Sequence, residues 1–186
     1  MRLPTRVAIA LTSGSPDLVP SALRVDPHTA LVAGCRGTVA EVGSILYVGA
    51  EHFGLVRLDE QGGYRGARTN SPCAAGTGSF LDQQARRLGL SGIEELAGRA
   101  LASTLPTPRI STRCAVFART DLVHAQQAGC SIEEICDGLC RGLARTIADT
   151  LLGGEAPREP VIFAGGVALN EAVRRHLESL VGVAIV

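Results

Sequence analysis

Cys73 and Cys114 are the residues best placed for chemistry in this chain of 186 residues. Cys73 lies in Asn70-Ser71-Pro72-Cys73-Ala74-Ala75-Gly76-Thr77-Gly78-Ser79-Phe80-Leu81, ahead of a small-residue turn that should open a helix. Cys114 lies in Ser111-Thr112-Arg113-Cys114-Ala115-Val116-Phe117-Ala118, again where a helix should begin. The unpaired N–H groups and positive dipole end of a helix N-terminus suit an anionic sulfur, and Arg113 adds a positive neighbour. Cysteines so placed are better metal ligands or nucleophiles than cysteines on a helix face. Taken singly, each reads equally well as a small residue in a capping region. Two thiolates do not complete an iron–sulfur or structural zinc site, which takes about four protein ligands. His28, His52, His124 and His176 are scattered and supply no further cluster. A twofold dimer satisfies the ligand count, each copy giving two cysteines to one site on the axis. Cys136 and Cys140, one helical turn apart, read as buried core thiols, as does Cys35.

A second constellation could hold a phosphate. Val161-Ile162-Phe163-Ala164-Gly165-Gly166-Val167-Ala168-Leu169-Asn170 reads as strand, double glycine, then helix. Gly165 and Gly166 would let backbone approach a ligand closely, and the following helix start offers N–H donors. The same turn serves packing alone in many α/β proteins. Gly49 and Glu51, in Val48-Gly49-Ala50-Glu51, form a weaker strand-to-turn element that a hairpin would need in any case. Gly76, Thr77 and Gly78 either supply backbone and hydroxyl donors or shape a helix start.

The elements that position these residues are predicted from periodicity and punctuation. Val7–Leu11 reads as a strand, and Asp26 caps a short helix that follows. Strands are expected over 44–49, 54–59 and 64–69, close enough together to be antiparallel. Helices are expected over 76–90, over 93–101 with Ser91 as cap, and over 112–128. Ser131-Ile132-Glu133-Glu134 is a capping box that opens a long helix to about Leu152. A buried strand over 161–164, a helix over 170–180 and a strand start over 181–186 complete the order. The order of strands, helices, strand and helix is that of an α/β or α+β domain with part of a sheet missing. Residues 1–43 read as a linker or the remnant of a preceding domain, and 44–186 as the main domain.

Composition narrows the partners. The 18 basic residues are all arginine and are balanced by 18 acidic ones, which argues against nucleic acid and membrane surfaces. The absence of lysine excludes a Schiff base or a P-loop lysine. Aromatics at 3% give no base-stacking platform. No apolar run approaches the ~20 residues of a membrane span, and no signal peptide is read at the N-terminus. The expected compartment is the cytoplasm, with reduced thiols.

Cys73-Ala74-Ala75-Gly76-Thr77-Gly78-Ser79-Phe80-Leu81 closely resembles the CAAGTG-x-F-L motif of the 2-hydroxyacyl-CoA dehydratase activators and the ATPase subunits of benzoyl-CoA reductase. Cys114-Ala115-Val116-Phe117-Ala118 resembles the second cysteine motif of that family. Ala164-Gly165-Gly166-Val167-Ala168-Leu169-Asn170 resembles its adenosine-side turn. The motifs fall in family order between about residues 44 and 177. The resemblance implies the α/β class with a mixed sheet and helices, in the ribonuclease-H-like fold of the actin/hexokinase/Hsp70-type ATPases, with a cysteine-bearing helical insertion over about 73–130. It implies a homodimer sharing one [4Fe-4S] cluster through Cys73 and Cys114, and ATP or ADP with Mg. It also implies electron transfer to a CoA-ester dehydratase or reductase, with ATP acting through its differential affinity for two dimer shapes. Gly165, Gly166 and Asn170 fall on the adenosine turn, and Gly49 and Glu51 on the second phosphate loop.

Two motifs differ from the family pattern. The second phosphate loop, usually Asp-Ile-Gly-Gly-Gln-Asp, reads Tyr47-Val48-Gly49-Ala50-Glu51-His52 here. The first, Asp-x-Gly-Ser, has no counterpart; Ala10-Leu11-Thr12-Ser13-Gly14-Ser15 carries no acid. The expectation is a truncated copy, a domain piece or a divergent subfamily. Two other functions fit this reading: a cluster-binding dimerisation module that does not hydrolyse ATP, and a sugar-kinase-like protein of the same fold.

Overall fold

The structure is a computed structural model that describes residues 9–13, 15–17, 19–20, 22–71 and 77–186. Contacts divide the chain into two units, Met1–Glu41 and Val42–Val186. In the first, β1 (Ala10–Thr12) pairs in parallel with β2 (Leu23–Val25). The helix α1 (Pro27–Thr38) follows, and Asp26 caps it by accepting from the Thr29 N–H. The predicted strand over Val7–Leu11 falls partly outside the described residues, and β2 had no pattern long enough to be read.

The second unit is built on a four-stranded sheet in the order β5-β4-β3-β6. The strands β3 (Ser44–Val48), β4 (Phe53–Leu58) and β5 (Tyr64–Thr69) form an antiparallel meander, as their short connections require. The fourth strand, β6 (Val161–Ala164), lies parallel to β3. β3 and β4 are buried along nearly their whole length, so they read as apolar runs. β5 is one edge of the sheet; its sequence YRGART leaves Arg65 and Arg68 exposed, and charge on an edge discourages further pairing.

Five helices accompany the sheet: α2 (Gly78–Arg87), α3 (Ile93–Leu101), α4 (Ala115–Gln127), α5 (Ile132–Leu151) and α6 (Glu171–Val181). The long helix α5 touches α3, α4, α6, β4 and β5. Ile135, Leu139, Leu143 and Ile147 recur on its core side and are almost wholly buried, the spacing of an amphipathic helix. Burial of each such side chain contributes about 1.5–3 kcal/mol. Its capping box forms as predicted: the Ser131 hydroxyl accepts from the Glu134 N–H, and the Glu134 carboxylate accepts from the Ser131 N–H. At α3 the cap position is Gly92, not Ser91; the Ser91 N–H and hydroxyl both donate to Glu95 at 2.9 Å. The end of the chain makes one bridge, Val161 with Ile185, where a fuller strand was expected.

A second flank of α5 is made of small residues. Gly138 and Gly142 lie one turn apart, and Thr146 one turn further. An extended segment over 108–112 lies against this flank. A Cβ on Gly138 would come within 2.7 Å of the Pro108 carbonyl oxygen, and one on Gly142 within 2.5 Å of the Ile110 carbonyl oxygen. The Thr112 and Thr146 hydroxyls are buried and hydrogen-bonded at 2.7 Å. Gly142→Ala therefore drives a methyl into backbone that cannot retreat, and is expected to cost ~1–3 kcal/mol. Urea denaturation measures this; an unchanged midpoint and slope would show that the segment does not rest there.

Candidate functional site

The residues read from sequence gather at two places in the second unit. The first is the edge of the sheet where the parallel strands β3 and β6 end. There Val48 and Ala164 lead directly into Gly49 and Gly165. Ligands of α/β sheets bind outside the carboxyl ends of parallel strands. Gly165 has φ +94°, a left-handed conformation that glycine adopts freely. A Cβ there would strike the Val48 carbonyl oxygen. Gly165 and Gly166 are exposed, and Gly166 opens a 3-10 turn, Gly166–Leu169.

The start of α2 closes onto the same edge. The Gly78 N–H donates to the Gly49 carbonyl at 3.0 Å, and the Ser79 N–H to the Ala50 carbonyl at 2.9 Å. Thr77 is fully buried. Gly78 thus shapes the helix start, and its N–H faces the hairpin turn instead of a ligand. Gly76 lies outside the described residues. The Gly49 N–H donates to the His52 carbonyl, closing the β3–β4 turn. Glu51 stands exposed on that turn. Tyr47, where the family pattern has an acid, is held in β3 opposite Gly54; a Cβ on Gly54 would enter its ring.

Asn170 is 3% exposed and caps α6, its Oδ1 accepting from the Val173 N–H at 3.1 Å. Its amide lies 3.8 Å from the Cys140 sulfur on α5. The side chain holds the turn to the core, and the exposed part of the turn is Gly165 and Gly166. These glycines leave backbone exposed beside the Gly49 turn, with Glu51 and Leu169 exposed on the same two turns.

The second place is the start of α4. Cys114 is its N-cap residue, half-buried, and its sulfur makes no capping hydrogen bond. Cys73 lies outside the described residues. Arg113 turns away from the thiol toward α5, where its guanidinium pairs with Asp149 at 2.9 Å. Cys136 and Cys140 are fully buried. Desolvation pushes the Cys136 thiol up to about 12 and raises Cys140 in the same direction. Both are neutral thiols at pH 7, inert core residues as expected, and burial raises Cys35 likewise. Among the described residues no three His, Cys, Asp or Glu side chains gather to hold a metal ion. A half-buried thiol with no internal partner fits a ligand set completed from elsewhere.

Cys114 stands on the rim of a cleft of about 710 Å³ between residues 109–114 and the exposed side of α5. Arg109, Arg113, Arg141 and Arg145 line it. Sequence reasoning missed this group. Its one local sign was the one-turn spacing of Arg141 and Arg145.

The mixed sheet and its helices have the ribonuclease-H-like fold of the actin/hexokinase-type ATPases. The activator of the 2-hydroxyisocaproyl-CoA dehydratase from Clostridium difficile, solved with bound ADPNP, superposes with a TM-score of 0.87 at 23% identity, covering 96% of this chain and 66% of that one. The chain belongs to the BadF/BadG/BcrA/BcrD ATPase family, whose model matches residues 25–186. A component of the benzoyl-CoA reductase of Thauera aromatica is 33% identical over 146 residues, 76% of this chain and 51% of that protein. The activator of lactoyl-CoA dehydratase from Anaerotignum propionicum is 33% identical over 132 residues, 71% of this chain and 50% of that protein. The chain spans about half the length of these curated relatives. No helix among the described residues is long and apolar enough to cross a membrane.

Two outcomes are expected. Gly165→Ala should lower stability by ~1–3 kcal/mol through backbone strain and the clash with Val48, read by thermal denaturation. Iodoacetamide at pH 8 should label Cys114 in the folded protein and leave Cys136 and Cys140 unlabelled until denaturant is added. Mass spectrometry of the peptides checks this, and native labelling at Cys140 would contradict the burial described.

Proposed function

We propose that this chain works as an ATP-linked activator that donates electrons to a CoA-ester dehydratase or a benzoyl-CoA reductase-type enzyme. Two copies share one [4Fe-4S] cluster, each giving Cys73 and Cys114. ATP or ADP with Mg binds at the sheet edge, against Gly49, Glu51, Gly165 and Gly166. The setting is the cytoplasm, where thiols stay reduced. Membership of an ATPase family and the activator and reductase roles of the relatives support this reading. The observation that carries it is the place of Cys114. It is half-buried at the N-cap of α4, while Cys136 and Cys140 are sealed in the core and the half-buried Cys130 packs against that core.

The nucleotide supplies binding and hydrolysis energy, and the cluster supplies a one-electron carrier. The chain's own residues hold and tune. Because α4 begins at Cys114, the positive end of its dipole lies at the sulfur. That favours negative charge there by ~0.3–1 kcal/mol at an exposed site. The 108–112 segment, locked against α5, fixes where this helix starts. Gly165 and Gly166 expose backbone without side chains, so a phosphate or sugar can approach closely.

Anaerobic purification with an iron assay tests the reading. About four irons per pair of chains are expected. Cys73→Ser and Cys114→Ser should each abolish the cluster absorption band and loosen the dimer. Cys136→Ser should leave iron unchanged. Iron loss in that variant with retention in Cys114→Ser would mean that other thiols bind the metal.

A further inference from the structure

The chain carries equal numbers of basic and acidic residues, yet its charges are not evenly spread. The cleft beside Cys114 gathers four guanidiniums, those of Arg109, Arg113, Arg141 and Arg145, around the single carboxylate of Asp149. Asp149 pairs with Arg113 at 2.9 Å and stands 4.0 Å from Arg145. Arg141 donates to the Thr107 hydroxyl at 3.2 Å and, like Arg109, has no ion pair among the described residues. All four arginines are exposed. Phe117, 64% exposed, lines the same cleft, and Val116 beside it on α4 is 70% exposed. Arginine flanking an exposed aromatic is the composition of protein interfaces. The planar guanidinium fork is also the donor that pairs bidentately with carboxylates.

The geometry points to this cleft as the docking site for a carboxylate-rich surface of the electron-accepting protein. This rests on the proposed function, since it places the acceptor beside the cysteine that would hold the cluster. A second copy meeting the cleft on the twofold axis itself would set its arginines against one another. An acidic partner instead gains both steering and register. Opposite potentials raise the encounter rate and suppress wrong partners, and both effects weaken with salt. Arg113 and Arg145 already share Asp149, so Arg109 and Arg141 are the cations most open to a new carboxylate.

A fluorescently labelled dodecaglutamate peptide is the probe, read by anisotropy with the 186-residue chain. Binding is expected at low ionic strength, and its affinity should fall at least ~tenfold as salt rises to ~0.3 M. Arg141→Glu/Arg145→Glu should weaken binding at least ~tenfold at low salt, and Arg109→Glu alone should weaken it less. Arg86→Glu/Arg175→Glu makes the same charge change elsewhere on the unit and should leave binding within about twofold of wild type. Equal loss in that control, or no loss in the cleft variants, overturns the proposal. Displacement of the peptide by pyrophosphate at lower concentration would make the cleft a small-phosphate site, and a change in solution mass in the cleft variants would make it a contact between copies. Either result also overturns it. Iron content measured on the same samples separates the two readings. Peptide binding without iron removes the cluster, and iron without peptide binding removes only the docking site.

Discussion

The arrangement of this domain depends on one close contact: extended backbone from Pro108 to Thr112 lying against the small-residue flank of α5. Gly138 and Gly142 let the Pro108 and Ile110 carbonyls approach to distances that no side chain would permit. The buried Thr112–Thr146 hydrogen bond holds the far end. That contact decides where α4 begins, and therefore where the Cys114 sulfur emerges. Overpacking there strains the core and displaces Cys114 together.

The same helix bears on the other candidate site. Cys140 lies between Gly138 and Gly142 in sequence and meets Asn170, the cap that ties the nucleotide-type turn to the core. A helix of 20 residues is a rod ~30 Å long. Its core side anchors α3 and α6, one stretch supports the Gly165–Gly166 turn through Asn170, and its small-residue flank carries the approach to Cys114. The two candidate sites therefore lean on one rigid element. Any relation between nucleotide and cysteine within this unit has α5 as a shared support.

Charge is organised by the same geometry. Arg141 and Arg145 project from α5 on the side that bounds the cleft, while Arg109 and Arg113 come from the segment lying against it. Neutrality of the whole chain conceals this concentration, because sequence distance separates residues that packing brings onto one surface. The protein is balanced in total charge, yet arginines gather beside the half-buried Cys114.

Much of the domain was legible in the residues themselves. The capping box, the apolar runs and short connections of β3, β4 and β5, the core thiols of α5 and the helix start at Cys114 are local patterns. Backbone propensity and hydrophobic periodicity suffice to read such patterns. Tertiary packing decided the rest. The cap position of α3 fell on Gly92, with Ser91 one residue ahead of it, donating its N–H and hydroxyl to the Glu95 carboxylate. Gly78 shapes a helix start because the Gly49 carbonyl reaches its N–H, and Asn170 faces inward because α5 brings Cys140 beneath it. The arginine cleft needed residues over thirty positions apart to meet. Local sequence carries no record of such meetings, since they follow from which faces bury together, and burial is a property of the whole chain.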